Sequence, residues 1–111
     1  MIEEIQPRTA IVTGAASGIG RGIAERFAHD GISVVCADIN EVEVEKVAAE
    51  LNDSGHAAMG VAVDVTSEVS VIEMVNRTVD WTGRIDTAVA NAGIMVEGDI
   101  LSVSLEGWHR V

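Results

Sequence analysis

The chain has 111 residues, enough for one domain with one core, and 48% of them are hydrophobic, which predicts a packed globular fold and excludes disorder. A net charge of -11 lacks the basic footprint that nucleic acid requires and disfavours an anionic membrane surface; a charged outer face accounts for the acid. No apolar run reaches membrane-spanning length, and Met1-Ile2-Glu3-Glu4 lacks the basic-then-apolar order expected of a signal peptide. The one cysteine, Cys36, can form no internal disulfide, so a cytoplasmic compartment is expected.

Residues 1–8 read as a short polar lead-in, with Pro7 beside a first strand predicted over Thr9 to Thr13. Next comes Gly14-Ala15-Ala16-Ser17-Gly18-Ile19-Gly20, three glycines in seven residues. A helix follows from about Ser17 to Asp30. Ile19, Ile23, Ala24, Phe27 and Ala28 recur at helical spacing on one face, and Gly31 is placed as its C-terminal cap. Strand, glycine turn and helix in this order aim backbone N–H groups and the positive end of a helix dipole at one point, a ready site for a diphosphate. The glycines would serve a positive φ, an unobstructed phosphate and close helix-to-strand packing.

Ser33 to Ala37 is nearly all apolar, as a strand buried on both faces should be, and makes Cys36 a structural thiol. Asn40 caps a helix running to about Ser54, with Glu43 in the capping-box position, Val44, Val47, Ala48 and Leu51 as its stripe, and Gly55 at its end. Ala57 to Val63 is a third strand. Thr66 or Ser67 opens a third helix whose expected core face is Val71, Ile72, Val75 and Val79, ending near Gly83. Ile85 to Ala90 is a fourth strand. Ser104 resembles an N-cap for a helix begun by Leu105 to Val111, and the absence of a C-cap suggests the front part of a longer protein.

Strand and helix alternate with short connections, and helical crossovers are right-handed, so the sheet should be parallel and covered on both faces. The predicted fold is α/β, a Rossmann-type doubly wound parallel sheet, of which this is the N-terminal half with strand order 3-2-1-4. Residues 1–111 form a single domain, truncated at its C-terminus. Asp38 stands at the carboxyl end of the second strand, 18 residues after Gly20. An acid there accepts hydrogen bonds from the adenosine ribose hydroxyls of a dinucleotide and repels a 2′-phosphate.

Thr13-Gly14-x-x-x-Gly18-x-Gly20 departs from the common G-x-G-x-x-G spacing and resembles the cofactor loop of the short-chain dehydrogenase/reductase family. Asp38, Asp64, Asp86, Asn91-Ala92-Gly93 and Trp108 follow in family order, so the resemblance covers about residues 8 to 111. It implies that Gly14, Ser17, Gly18, Ile19 and Gly20 form the turn and meet the diphosphate. Asp38 and Ile39 would take the adenosine ribose, Asp64 and Val65 the adenine, and Asn91, Ala92 and Gly93 the nicotinamide-side ribose region. Ala90 departs from the first Asn of the family's N-N-A-G, which touches the hydrogen bonding around the central strand and not the cofactor site. Ser17, Ile39 and Asn40 offer no cation for a 2′-phosphate, which favours NAD over NADP. A methyltransferase also has a glycine turn and an acid after strand two, but does not usually combine them with Asn-Ala-Gly.

Family enzymes use a Tyr as general acid/base, a Lys four residues on, a Ser that polarises the carbonyl and an Asn in the helix after strand four. This chain has no tyrosine, and its one lysine is Lys46 on the second helix. Ser17, Ser102 and Ser104 do not match the family serine, and the Asn would fall past Val111. No catalytic residue is assigned. The complete protein is implied to transfer hydride between NAD(H) and a secondary alcohol or ketone, as a homo-oligomer. The alternative is a non-catalytic dinucleotide-binding or interaction module, or a truncated product. His29, His56 and His109 read as scattered surface residues, and no metal is expected. Met59, Met74 and Met95 read as core filler, and Trp81 and Trp108 as packing under the sheet or in a subunit contact. Glu41, Glu43, Glu45 and Glu50 form a solvated helix face.

Overall fold

The computed structural model describes residues 6–94, 98–99 and 101–111; the first residues of the lead-in and the expected core filler Met95 lie outside the described residues. Four strands, β1 (Thr9–Thr13), β2 (Ser33–Asp38), β3 (Ala58–Ala62) and β4 (Thr87–Val89), form one parallel sheet in the order β3-β2-β1-β4. Helices α1 (Gly18–His29), α2 (Glu41–Asp53) and α3 (Glu68–Thr82) join successive strands, and α4 (Leu105–Arg110) follows β4. Val12 of β1 pairs with Cys36 on one side and Val89 on the other. The chain builds outward from β1 to β3, then returns to lay β4 on the opposite side. That reversal opens a crevice at the strands' carboxyl ends.

Alternate residues of β1 and β2 point to opposite faces, so both faces need a cover. Val12, Val34 and Cys36 pack with Ala24 and Ala28 of α1 and with Val44, Val47, Ala48 and Leu51 of α2. Ile11, Val35, Ala37, Val61 and Val63 pack with Met74 of α3 on the other face. Burial pushes the Cys36 thiol up to about 11, which keeps it protonated and inert. The start of β4 is locked to the start of β1: Thr9 N–H donates to Asp86 Oδ2 at 2.8 Å, and Asp86 N–H to the Thr9 carbonyl at 2.9 Å. Arg84 Nε also donates to Asp86 Oδ2 at 2.8 Å, and that guanidinium holds the carboxyl below its ordinary range.

Several expectations need correction. Met74 and Thr78 are the buried residues of α3, whereas Ile72 and Val79 are 50% and 45% exposed. The docked face runs through Val71, Met74, Val75 and Thr78, at i, i+3, i+4 and i+7. Thr78 is tolerated in the core because its hydroxyl donates to the Met74 carbonyl at 2.8 Å, satisfying both groups within one helix. A pattern read from apolar residues alone passes over such a threonine. In α1 the fully buried residues are Gly20, Ala24 and Ala28, with Ile23 and Phe27 partly buried against the core as expected, whereas Ile19 is 77% exposed. Neither tryptophan is buried: Trp81 is 36% exposed and Trp108 70% exposed.

Helix α2 begins as expected in one half only. Asn40 Oδ1 accepts from Glu43 N–H at 3.2 Å, but the Asn40 N–H donates to Asp38 Oδ1 at 3.0 Å instead of completing a capping box with Glu43. Strand β4 is the shortest element of the sheet, and its Thr87 and Ala88 are exposed. It forms one edge of the sheet.

Candidate functional site

The site is assembled where β1, β2, β3 and β4 end. After Thr13 the chain turns at Gly14, whose φ is +70°. The turn is pinned to the end of β2: Ala15 N–H donates to the Ala37 carbonyl at 3.1 Å and Ala16 N–H to Asp38 Oδ2 at 3.1 Å. Ser17 is extended, and its side chain makes no capping bond. Gly18 then opens α1 with φ +59°. Its N–H and those of the next two residues have no acceptor inside the helix, since the first bond runs from Arg21 N–H to the Ser17 carbonyl.

Gly18 and Gly20 do different work. A Cβ on Gly18 would meet nothing within 4 Å, so the space in front of the helix N-terminus is open. A Cβ on Gly20 would overlap the Gly14 carbonyl oxygen and come within 2.5 Å of Asn91 Nδ2. One glycine faces open space; the other lets the helix seat against the turn.

Asp38 accepts through both carboxylate oxygens, from Ala16 N–H and from Asn40 N–H, so its orientation is fixed before any ligand arrives. Asp64 is held through a local turn: Oδ1 accepts from the Thr66 hydroxyl at 2.6 Å and from Thr66 N–H at 2.9 Å. Those bonds, the hydroxyl's first, hold the Asp64 carboxyl below its ordinary range. The Asp64 N–H donates to Ser70 Oγ at 2.9 Å, tying the end of β3 to α3.

Asn91 turns inward. Its side-chain amide donates to the Thr13 carbonyl at 3.2 Å, beneath the glycine turn. The Thr13 hydroxyl accepts from Asn91 N–H and Ala92 N–H, both at 3.1 Å, and donates to the Val89 carbonyl at 3.3 Å. One hydroxyl thus fastens the strand end that carries Ala92 and Gly93 to the turn that carries Gly14. Thr13→Val is expected to take the protein acceptor from the exposed Ala92 N–H, while Asn91 N–H keeps the Val89 carbonyl at 3.1 Å, and to cost about 0.5–1.5 kcal/mol. Chemical denaturation checks this, and an unchanged midpoint would show that the clamp contributes nothing.

Gly14, Asp38, Ile39, Asp64, Val65, Ala92 and Gly93 line one cleft of about 720 Å³. Ser17, Gly18, Ile19 and Gly20 stand at the turn beside it and Asn91 beneath it, none lining the cleft itself. Val63, Thr66, Ile94, His109, Arg110 and Val111 complete the walls. The Asp-x-Thr spacing of Asp64 and Thr66 was a readable sign of the local turn. Nothing local signals that α4 returns to the cleft; His109, Arg110 and Val111 arrive there by tertiary folding. The cleft combines apolar walls from Ile39, Val63, Val65 and Ile94 with two fixed carboxylates. Such a lining suits a flat ring joined to a sugar. A second hollow is lined wholly from residues 98–111, with Val103, Leu105 and Trp108 among its walls, and no strand end reaches it. Among the described residues no three metal-ligating side chains gather, and no helix is long and apolar enough to cross a membrane.

A family model described as short chain dehydrogenase matches residues 8–111. The chain is similar to the meso-2,3-butanediol dehydrogenase of Serratia marcescens, 39% identical over 94% of this chain and 41% of that one. It is also similar to the cis-4-hydroxycyclohexanecarboxylate dehydrogenase of Sinomonas cyclohexanicum, 41% identical over 100% of this chain and 45% of the relative. A crystal structure of hydroxysteroid dehydrogenase from Escherichia coli superposes with a TM-score of 0.72 at 35% identity, covering 75% of this chain and 35% of that one. The chain spans less than half the length of these relatives.

Proposed function

The chain belongs to the short-chain dehydrogenase family, and from that membership we propose that it is the NAD(H)-binding part of an oxidoreductase acting on a secondary alcohol or ketone. The observation that carries this reading is the convergence of Gly14, Asp38, Asp64 and Gly93 on one cleft at the point where the strand order reverses. The open space at Gly18, in front of N–H groups without helical acceptors, leaves a diphosphate free to approach them.

On this reading NAD(H) supplies the hydride chemistry, and the chain's own residues bind and orient it. The Ser17 hydroxyl and the first N–H groups of α1 meet the diphosphate. Asp38, held by two backbone donors, accepts from the ribose hydroxyls and repels a 2′-phosphate, which favours NAD. Ile39 stands with Asp38 at the adenosine ribose, Asp64 and Val65 border the adenine, and Ala92 and Gly93 leave room for the nicotinamide-side ribose. Asn91 acts from beneath, by holding the turn in shape. The 111 residues contain no tyrosine, so cofactor binding without turnover is the activity expected of this chain. A cytoplasmic location and self-association belong to the same proposal.

Calorimetric titration with NAD and NADP tests it. Saturable binding of NAD, with NADP weaker, is expected; a folded chain that takes up neither would sink the reading. Self-association has its own basis in the exposed edge of β4 and in Val69, Ile72 and Val79 on the outer side of α3. Light scattering at micromolar concentration should report a mass above 11.7 kDa. A monodisperse monomer would count against it.

A further inference from the structure

The histidines are not scattered as the sequence suggested. His29 is the last residue of α1 and His56 precedes β3, yet their rings stand edge to face with centroids 6.1 Å apart. They meet where β2 and β3 begin, at the opposite end of the sheet from the cleft. We propose that His29 and His56 form a two-imidazole binding site for a divalent transition ion such as Zn(II).

Three observations support the pair. First, both residues sit on clamped backbone. Helix α1 closes with Gly31 N–H on the Ala28 carbonyl and Ile32 N–H on the Phe27 carbonyl, each 3.0 Å. Helix α2 closes in the same way, with Gly55 N–H on Asn52 and His56 N–H on Leu51, each 3.0 Å. Asn52 also bonds Ala58 in both directions at 2.9 Å, fixing the segment that carries His56. Two helix ends of one glycine-terminated type therefore hold the backbone of the two histidines in a set relation, with the side chains left to rotate.

Second, the two rings are close to the spacing that a shared ion needs. With imidazole nitrogen at about 2.0–2.1 Å from the metal, two rings on one ion have centroids about 5–6 Å apart. The observed 6.1 Å is longer than that, and rotation of the exposed His29 side chain out of its edge-to-face contact would bring the two rings onto one ion. Third, the ligand type is right: neutral imidazole suits Zn, Cu and Ni. Asp30, next to His29, is engaged by Arg26 at 3.1 Å. With no third ligand among the described residues, water would fill the remaining positions and the site would be open, unlike a closed structural zinc site.

Calorimetric titration of the full chain with ZnCl₂ at neutral pH tests this, using His29→Ala, His56→Ala, the double variant and His109→Ala. The expected result is one ion per chain. Either single change should weaken binding about ten-fold, because the second imidazole then loses its intramolecular advantage. The double variant should be little worse than the singles, and His109→Ala should bind like the parent. Equal weakening by His109→Ala, or no loss in either single variant, overturns the proposal.

Discussion

Gly20→Ala is expected to destabilise the chain by about 3 kcal/mol, at the upper end of what overpacking usually costs. The added Cβ meets backbone, the Gly14 carbonyl, as well as the side-chain amide of Asn91. Relief requires α1 to lift from the turn or the turn to open, and the Asn91 amide packed below resists both. Gly18→Ala is the matched control. Its Cβ enters open space, so only the left-handed backbone is penalised, by about 1–2 kcal/mol. The order should invert for NAD, because alanine at Gly18 intrudes on the proposed diphosphate site while the fold persists. Denaturation midpoints and NAD titrations of the two variants decide it. If Gly20→Ala unfolds at the parent's midpoint, the close approach does not constrain the turn.

Asp38→Ala should weaken NAD binding about 100-fold, equivalent to about 2.7 kcal/mol, the scale of hydrogen bonds to a charged acceptor. Stability should fall far less. Asp38 is half-buried, and water can replace it for the N–H groups of Ala16 and Asn40. Asp38→Asn separates charge from shape: it retains one acceptor oxygen and removes the repulsion of a 2′-phosphate. NADP affinity should therefore rise relative to NAD in Asp38→Asn. Parent-like NAD affinity in Asp38→Ala would place the ribose elsewhere.

Most of the framework was legible because it is local. Asn40 and Ser67 cap the helices that follow them, Gly31, Gly55 and Gly83 take positive φ at helix ends, and the stripe Val44, Val47, Ala48 and Leu51 is buried throughout. The strand order followed from alternation and crossover handedness. Errors fell where two readings of one helix compete. Ile72 and Val79 are as apolar as Val71 and Val75, and only docking against β1 and β2 selects the face with Met74 and Thr78.

The same division runs through the candidate site. Sequence alone determined the turn, the acid after β2, the pair Asp64-Val65 and the Asn91-Ala92-Gly93 segment, because strand ends and glycine spacing are properties of short stretches. Tertiary structure decided what those residues do to one another. The Thr13 hydroxyl joins β1 to Asn91 and Ala92, Asp38 takes the N–H that a capping box would have used, and α4 brings His109, Arg110 and Val111 to the cleft. His29 and His56, 27 positions apart in the chain, became neighbours by the same route. Hydrogen bonds and ring contacts depend on distances in space, and the spacing of residues along a chain fixes such distances only within a single element.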